Sequence, residues 1–189
     1  MAVFSRQELI TQLLDRTEIL KASTLTFLRL TDEQLQHSPG PGQWSIVEIF
    51  GHLDLCMDFY SREILSRITL APDNPSDLYR SSLLGDWVYE KIMPRPDGTV
   101  FKFKARRSLC AGSEQQDGKE AIRVFQRHCD ALDDILRHVA TKDLRRITIP
   151  FYFPALFRLR LGDVLRYLVA HDERHLLQAQ RVMTQLVPL

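Results

Sequence analysis

His171 and His175 stand four residues apart in the stretch HDERH, inside LGDVLRYLVAHDERHLLQAQRVM. The surrounding pattern reads as helix, and residues four apart on a helix stack on one face, about 6 Å apart along the axis. Both imidazoles therefore project the same way and can reach one ion. They share that face with Val164, Leu168 and Val182, which are core-type residues, so the pair points toward an interior or a cavity at its end. Two neutral imidazoles buried together each want a hydrogen-bond partner, and a divalent cation satisfies both lone pairs at once. A third donor is available in His52, in WSIVEIFGHLDLC, with Ile49, Cys56 and Phe59 near its face. If the two helices are neighbours, His52, His171 and His175 form a three-histidine facial site with open positions for water or substrate, the pattern of a catalytic metal. Spacing alone leaves an ordinary alternative at even weight, since many helices carry H-x-x-x-H for no chemical reason.

The other histidines do not compete. His37 sits in a Pro/Gly break and reads as a solvated loop residue. His128 and His138 are nearly three helical turns apart and off one another's face, so they cannot share an ion and read as surface or satisfied histidines. Other metal motifs fail on residue identity. Zincins need glutamate directly after the first histidine, where Asp172 stands, and the inverted motif needs it before the second, where Arg174 stands. A di-iron bundle needs Glu-x-x-His on two helices, but Glu48 is four residues before His52. No paired cysteines suggest a structural zinc site. No residue stands out as general base: Glu48 and Asp172 are candidates by proximity alone. Cys56, one turn past His52, is either a fourth ligand, a nearby thiol or a small buried apolar residue, and base rates favour the last.

These donors must be carried by four long helices. The first opens at Ser5 with the capping box SRQE, in which the serine oxygen takes an orphan amide and Glu8 reaches back to the cap; its apolar positions run from Leu9 to Phe27. TDEQ starts a short turn at Thr31, and Pro39, Gly40, Pro41 and Gly42 then break the chain. The second long helix opens with SIVE at Ser45 and ends before Pro72. SDLYRSSLLGDWVYEKI carries a further helical pattern with Trp87 as a core anchor. MPRPDGTVFKFKARRS reads as a loop with a short extended piece at TVFKFK, and its Arg95, Lys102, Lys104, Arg106 and Arg107 face one acid, Asp97; base rates make it a solvated basic loop. The third helix is GKEAIRVFQRHCDALDDILRHVA. RITIPFYFPALFRLR, broken by Pro150 and Pro154, reads as a long packed connection, and the fourth helix spans about 162–185. Period-2 strands, repeats and splitting linkers are absent. The expectation is an all-α chain, a four-helix bundle with long irregular connections in a single domain over 1–189.

Composition narrows the function classes. With 189 residues, 44% apolar, 26% charged and a net charge of +1, no strong field draws the surface to nucleic acid or an anionic membrane. No apolar run approaches the ~20 residues of a spanning helix, and the amphipathic N-terminus is not a secretory signal. Cys56, Cys110 and Cys129, an odd count at scattered spacings, fit free thiols in a reducing cytoplasm.

Two stretches, PGPGQWSIVEIFGHLDLC and LGDVLRYLVAHDERHLLQAQRV, resemble the DinB/YfiT-like superfamily: a Trp-Ser opening to the second helix, a His-Leu further along it, and a final-helix His-x-x-x-His followed by Gln. Trp44, Ser45, Glu48, His52, Leu53, His171, His175 and Gln178 fill those places. The resemblance covers most of the chain and implies a four-helix bundle holding a divalent metal (zinc, nickel, iron or manganese) on the three histidines. It further implies either a metal-dependent hydrolase or an S-transferase or isomerase using a low-molecular-weight thiol such as bacillithiol or mycothiol. Two alternatives stay open: a non-catalytic metal-binding or stress-related interaction protein, with homodimer formation through an apolar helix face, and a metal-free bundle whose histidines line a small-ligand pocket.

Overall fold

The structure is a computed structural model and describes residues 1–74, 76–95, 99, 101, 117–152 and 157–186. Its frame is four long helices: α1 (Arg6–Ser23), α3 (Ile46–Ile68), α5 (Gly118–Val139) and α6 (Leu161–Leu186). The all-α expectation holds as a mostly helical fold of packed helices, but the helices number six among the described residues rather than four, because α2 (Asp32–Gln36) and α4 (Leu83–Ile92) add short rods. α3 packs on α5 and α6, α1 packs on the same two, and α4 lies along α6.

The capping signals explain most starts. Thr31 and Ser45 each form a complete box, with Gln34 and Glu48 returning to the cap amide. At α1 only half the expected box forms. Ser5 Oγ takes the Glu8 amide at 3.2 Å, but the Gln7 amide goes to Asp77 Oδ1 at 3.0 Å, because a second strand brings Asp77 alongside. α1 also ends earlier than its apolar pattern suggests. A 3₁₀ turn covers Thr24–Arg29, where the hydroxyls of Thr24 and Thr26 bond carbonyls three residues back at 2.7 and 2.9 Å and tighten the coil. Phe27 is nonetheless buried. Gly42 supplies the positive φ of 73° in the break before α3.

Two corrections concern the connections. β1 (Val3–Ser5) pairs antiparallel with β2 (Leu78–Arg80), placing Phe4 opposite Tyr79. β3 (Thr148–Pro150) pairs with β4 (Arg158–Arg160), Ile149 opposite Leu159, so the stretch read as a packed connection contains a strand pair. Three-residue strands are too short to show alternation in sequence. The second correction is Trp87, which is 53% exposed rather than a core anchor. α4 turns Gly85, Val88 and Ile92 inward, and a Cβ at Gly85 would lie 2.1 Å from Asp163 Cγ. That close approach fixes the register and leaves Trp87 on the outer face.

α6 is the central rod: every residue from Leu161 to Asp172 is buried, as expected of a helix surrounded by neighbours. Its first polar residues are well satisfied. Asp163 accepts from Tyr79 OH at 2.6 Å and from Ser82 Oγ at 2.7 Å. Arg166 donates to Asp86 at 2.8 Å and its guanidinium lies over the rings of Phe4 and Tyr89. Cys56 and Cys129 are buried free thiols; Cys110 and the extended piece anticipated around 99–104 lie largely outside the described residues, as do Lys102, Lys104, Arg106, Arg107 and Asp97 of the basic loop. Among the described residues no helix is long and apolar enough to cross a membrane.

Candidate metal centre

The Ser45 cap sets the phase of α3. Ile49, Phe50 and Leu53 enter the core, while His52 and Cys56, four apart, turn toward α6. On α6, Tyr167, His171 and His175 repeat at the same interval and face them. The three histidines meet as the spacing argument anticipated. They are 5%, 5% and 9% exposed for His52, His171 and His175, and one potential ligand atom from each lies within 4.8 Å of the others. His52 Nε2 and His171 Nε2 are 3.3 Å apart. Ring centroids separate by 5.2 Å for His52–His171, 4.8 Å for His52–His175 and 4.6 Å for His171–His175.

The protonation chemistry fits a cation. Burial, then the neighbouring His175 and His52 and the charge of Arg174, push His171 well below the ordinary imidazole value. Burial and His52 push His175 down to about 3, against the opposing bond to Gln178. Both rings are therefore neutral near pH 7 and carry one lone pair each. His175 Nδ1 lies 3.0 Å from Gln178 Oε1; that oxygen only accepts, so the proton sits on Nδ1 and the lone pair on Nε2. His171 Nε2 faces His52, leaving its Nδ1 buried and, among the described residues, with no hydrogen-bond partner, 3.7 Å from Asp172 Oδ1, which has none among them either. Two nitrogens bound at about 2.1 Å with a tetrahedral angle stand about 3.4 Å apart, close to the 3.3 Å separation of His52 and His171. The donor set and its spacing fit a divalent ion.

Aromatic rings wall the cluster. Trp44, immediately before the α3 cap, stacks on His175 at 5.9 Å and tilts against His52 at 5.1 Å. Tyr167 lies 5.3 Å from His171 and continues into Tyr60 and Phe151. Cys56 Sγ is 3.8 Å from His52 Nε2, so the residue read as apolar filler borders the donors. Asp172 is 3% exposed; burial, then Glu173 and Asp54, raise its carboxyl well above the usual range. It is an interior neighbour of His171 rather than a solvent-facing acid. Glu48 is not positioned as a base, because its Oε2 accepts from the Ser45 amide at 2.8 Å. His37 and His138 are exposed. His128 sits 3.1 Å from Asp54. The sequence reading missed Tyr167, although its position four before His171 was a usable signal. A 290 Å³ cleft lined by Arg16, Glu173 and Leu176 lies on another face of α6 and includes none of the three histidines.

Comparison with known proteins adds one positive finding. A family model described as the DinB superfamily matches residues 16–179, a span that contains all three histidines. No curated protein and no solved structure matches the chain.

Proposed function

The chain belongs to the DinB superfamily, and from that premise we propose that it is a divalent-metal protein whose His52, His171 and His175 hold one ion, working as a metal-dependent enzyme on a small-molecule substrate. The observation that carries this reading is the convergence of three buried imidazoles, with His52 and His171 Nε2 atoms 3.3 Å apart and His175 turned by Gln178 to present its own Nε2. When bound, zinc, nickel, iron or manganese in such a set supplies Lewis acidity, making water or a thiol nucleophilic near neutral pH. Hydrolysis and transfer of a low-molecular-weight thiol are the two reactions this supports.

The chain's own residues hold the geometry. Gln178 fixes the tautomer and ring plane of His175. Trp44 and Tyr167 exclude water from two sides of the cluster and keep the imidazoles from rotating. Asp172 stands 3.7 Å from His171 Nδ1, near enough to accept that ring's outer proton after a small rotation. The test is elemental analysis of untagged protein. Wild type carries close to one equivalent of a divalent ion, whereas His52→Ala and His175→Ala lose it with helical circular dichroism retained. Full metal content in both variants refutes the site. Turnover by loaded wild type of ester and amide substrates, or of an electrophile plus thiol, then separates hydrolase from transferase, and turnover of neither returns the protein to the non-catalytic class.

A further inference from the structure

The ring contacts of the cluster do not stop at His171. Tyr167 packs on that imidazole with centroids 5.3 Å apart, and two branches of rings lead outward from it. Phe151 lies 5.0 Å from Tyr167. On the other branch Tyr60 lies 5.8 Å from Tyr167, Phe59 lies 5.1 Å from Tyr60, and Tyr152 closes on Phe59 at 5.0 Å. All these spacings fall in the band of about 4.5–7 Å that favours ring pairs. The inner rings are closed to solvent, Tyr60 at 0% and Tyr167 at 6% exposure. The outer three, Phe59, Phe151 and Tyr152, are only half-buried.

Single half-exposed rings are ordinary on a protein surface. Three that join one ladder leading to the buried donors form a patterned one. The main chain holds two of them in place. Phe151 and Tyr152 follow directly on β3, where the Phe151 amide donates to the Phe157 carbonyl at 2.7 Å and extends the pairing with β4. The Tyr152 amide donates to Tyr60 OH at 3.0 Å. Phenyl and phenol rings are neutral near pH 7, so they offer π faces and edges rather than a counter-charge. A flat apolar group is what such a surface takes. Only Tyr167 stands between Phe151 and His171, a span that a short tether covers between an aryl ring and an atom held at the imidazoles.

We propose that Phe151 and Tyr152 determine the specificity of this site, stacking an aromatic group of the substrate while its reacting end reaches the three-histidine centre. This rests on the metal reading above and narrows its substrate class to aryl-bearing small molecules. The alternative is that the outer rings only cap the core. Three probes with one metal-binding head separate the two: acetohydroxamic acid, 3-phenylpropionohydroxamic acid and 3-cyclohexylpropionohydroxamic acid. Each is titrated into the full-chain protein loaded with cobalt(II), reading the visible bands of the ion. Wild type binds the phenyl probe about tenfold more tightly than acetohydroxamic acid, the scale of one ring buried against others, and more tightly than the cyclohexyl probe. Leucine at both positions keeps apolar volume and both main-chain bonds but removes the rings. Phe151→Leu and Tyr152→Leu together reduce the preference to within about twofold of none, and either change alone removes part of it. Trp87→Leu, which deletes an exposed ring on α4, leaves the preference whole. The ratio of affinities is insensitive to a general loosening of the site, which weakens all probes alike. Equal binding of the phenyl probe and either other probe by cobalt-loaded wild type overturns the proposal. So does an undiminished preference in the double variant, or an equal loss in Trp87→Leu. Failure of wild type to bind cobalt instead overturns the metal reading, and this inference falls with it.

Discussion

His175→Gln tests whether the imidazoles are held neutral, the condition on which any lone-pair chemistry depends. In the folded chain His175 is pushed down to about 3 by burial and by His52, whereas in the unfolded chain it titrates near 6.5. Below about pH 6.5 the unfolded state takes up a proton that the folded state refuses. Stability attributable to this residue is therefore intact above that pH and lost as pH falls toward 3. The slope is about 1.4 kcal/mol per pH unit, so about 2 kcal/mol is lost between pH 6.5 and pH 5. Glutamine has no such proton, and the variant lacks this slope. His171 keeps its own, because burial rather than His175 is the larger cause of its shift. The assay is urea unfolding in a chelator at pH 8, 6.5 and 5. The stability difference between wild type and variant should move by about 2 kcal/mol in the variant's favour from the first to the last. A difference that stays constant across that range means His175 protonates as readily folded as unfolded, and the reasoning about reserved lone pairs fails.

Three further perturbations address the supports of the site. Gln178→Leu removes the 3.0 Å partner of His175 Nδ1 and should weaken metal affinity about 10–100-fold in chelator competition, the usual scale for a lost orienting partner. Gly85→Ala drives a methyl group to 2.1 Å from Asp163 Cγ and should destabilise by about 3 kcal/mol in denaturant unfolding. Asp86→Asn acts through pH. Burial opposes the charge, but Arg166, the Ser81 hydroxyl and the Ala2 amide outweigh it and bring the carboxyl down to about 2. Its contribution is present above about pH 4 and lost as pH falls through about 2, so the variant should be about 2 kcal/mol less stable at pH 7 and lose less than wild type on acidification to pH 3.

The donors were legible because their chemistry is written in local spacing. A four-residue interval on α6 and a serine cap fixing the phase of α3 are both properties of single helices. What sequence could not give was the register of one element on another. Trp87 reads as an anchor by type, yet the contact of Gly85 with Asp163 turns it outward. Glu48 reads as a candidate base by proximity, yet the capping box that the sequence also shows consumes its carboxylate. The pairing of β1 with β2 joins residues some seventy-five positions apart, and neither strand is long enough to alternate visibly. It also brings Asp77 to the start of α1, where it accepts from the Gln7 amide and the Ser5 hydroxyl. Asp172 reads as the wrong residue for a known protease motif; only its burial and its 3.7 Å approach to His171 Nδ1 show it to border the cluster.

The enclosure of α6 from Leu161 to Asp172 bears on how the protein can change over time. One of the three nitrogens, that of His171, rides on the stretch least able to shift without global unfolding, where amide hydrogens exchange only through the rarest openings, and His175 follows one turn later on the same helix. Capturing an ion there requires little prior ordering of the backbone. The surrounding connections can therefore diverge in length and composition, altering what approaches the centre, while the centre itself stays as it is.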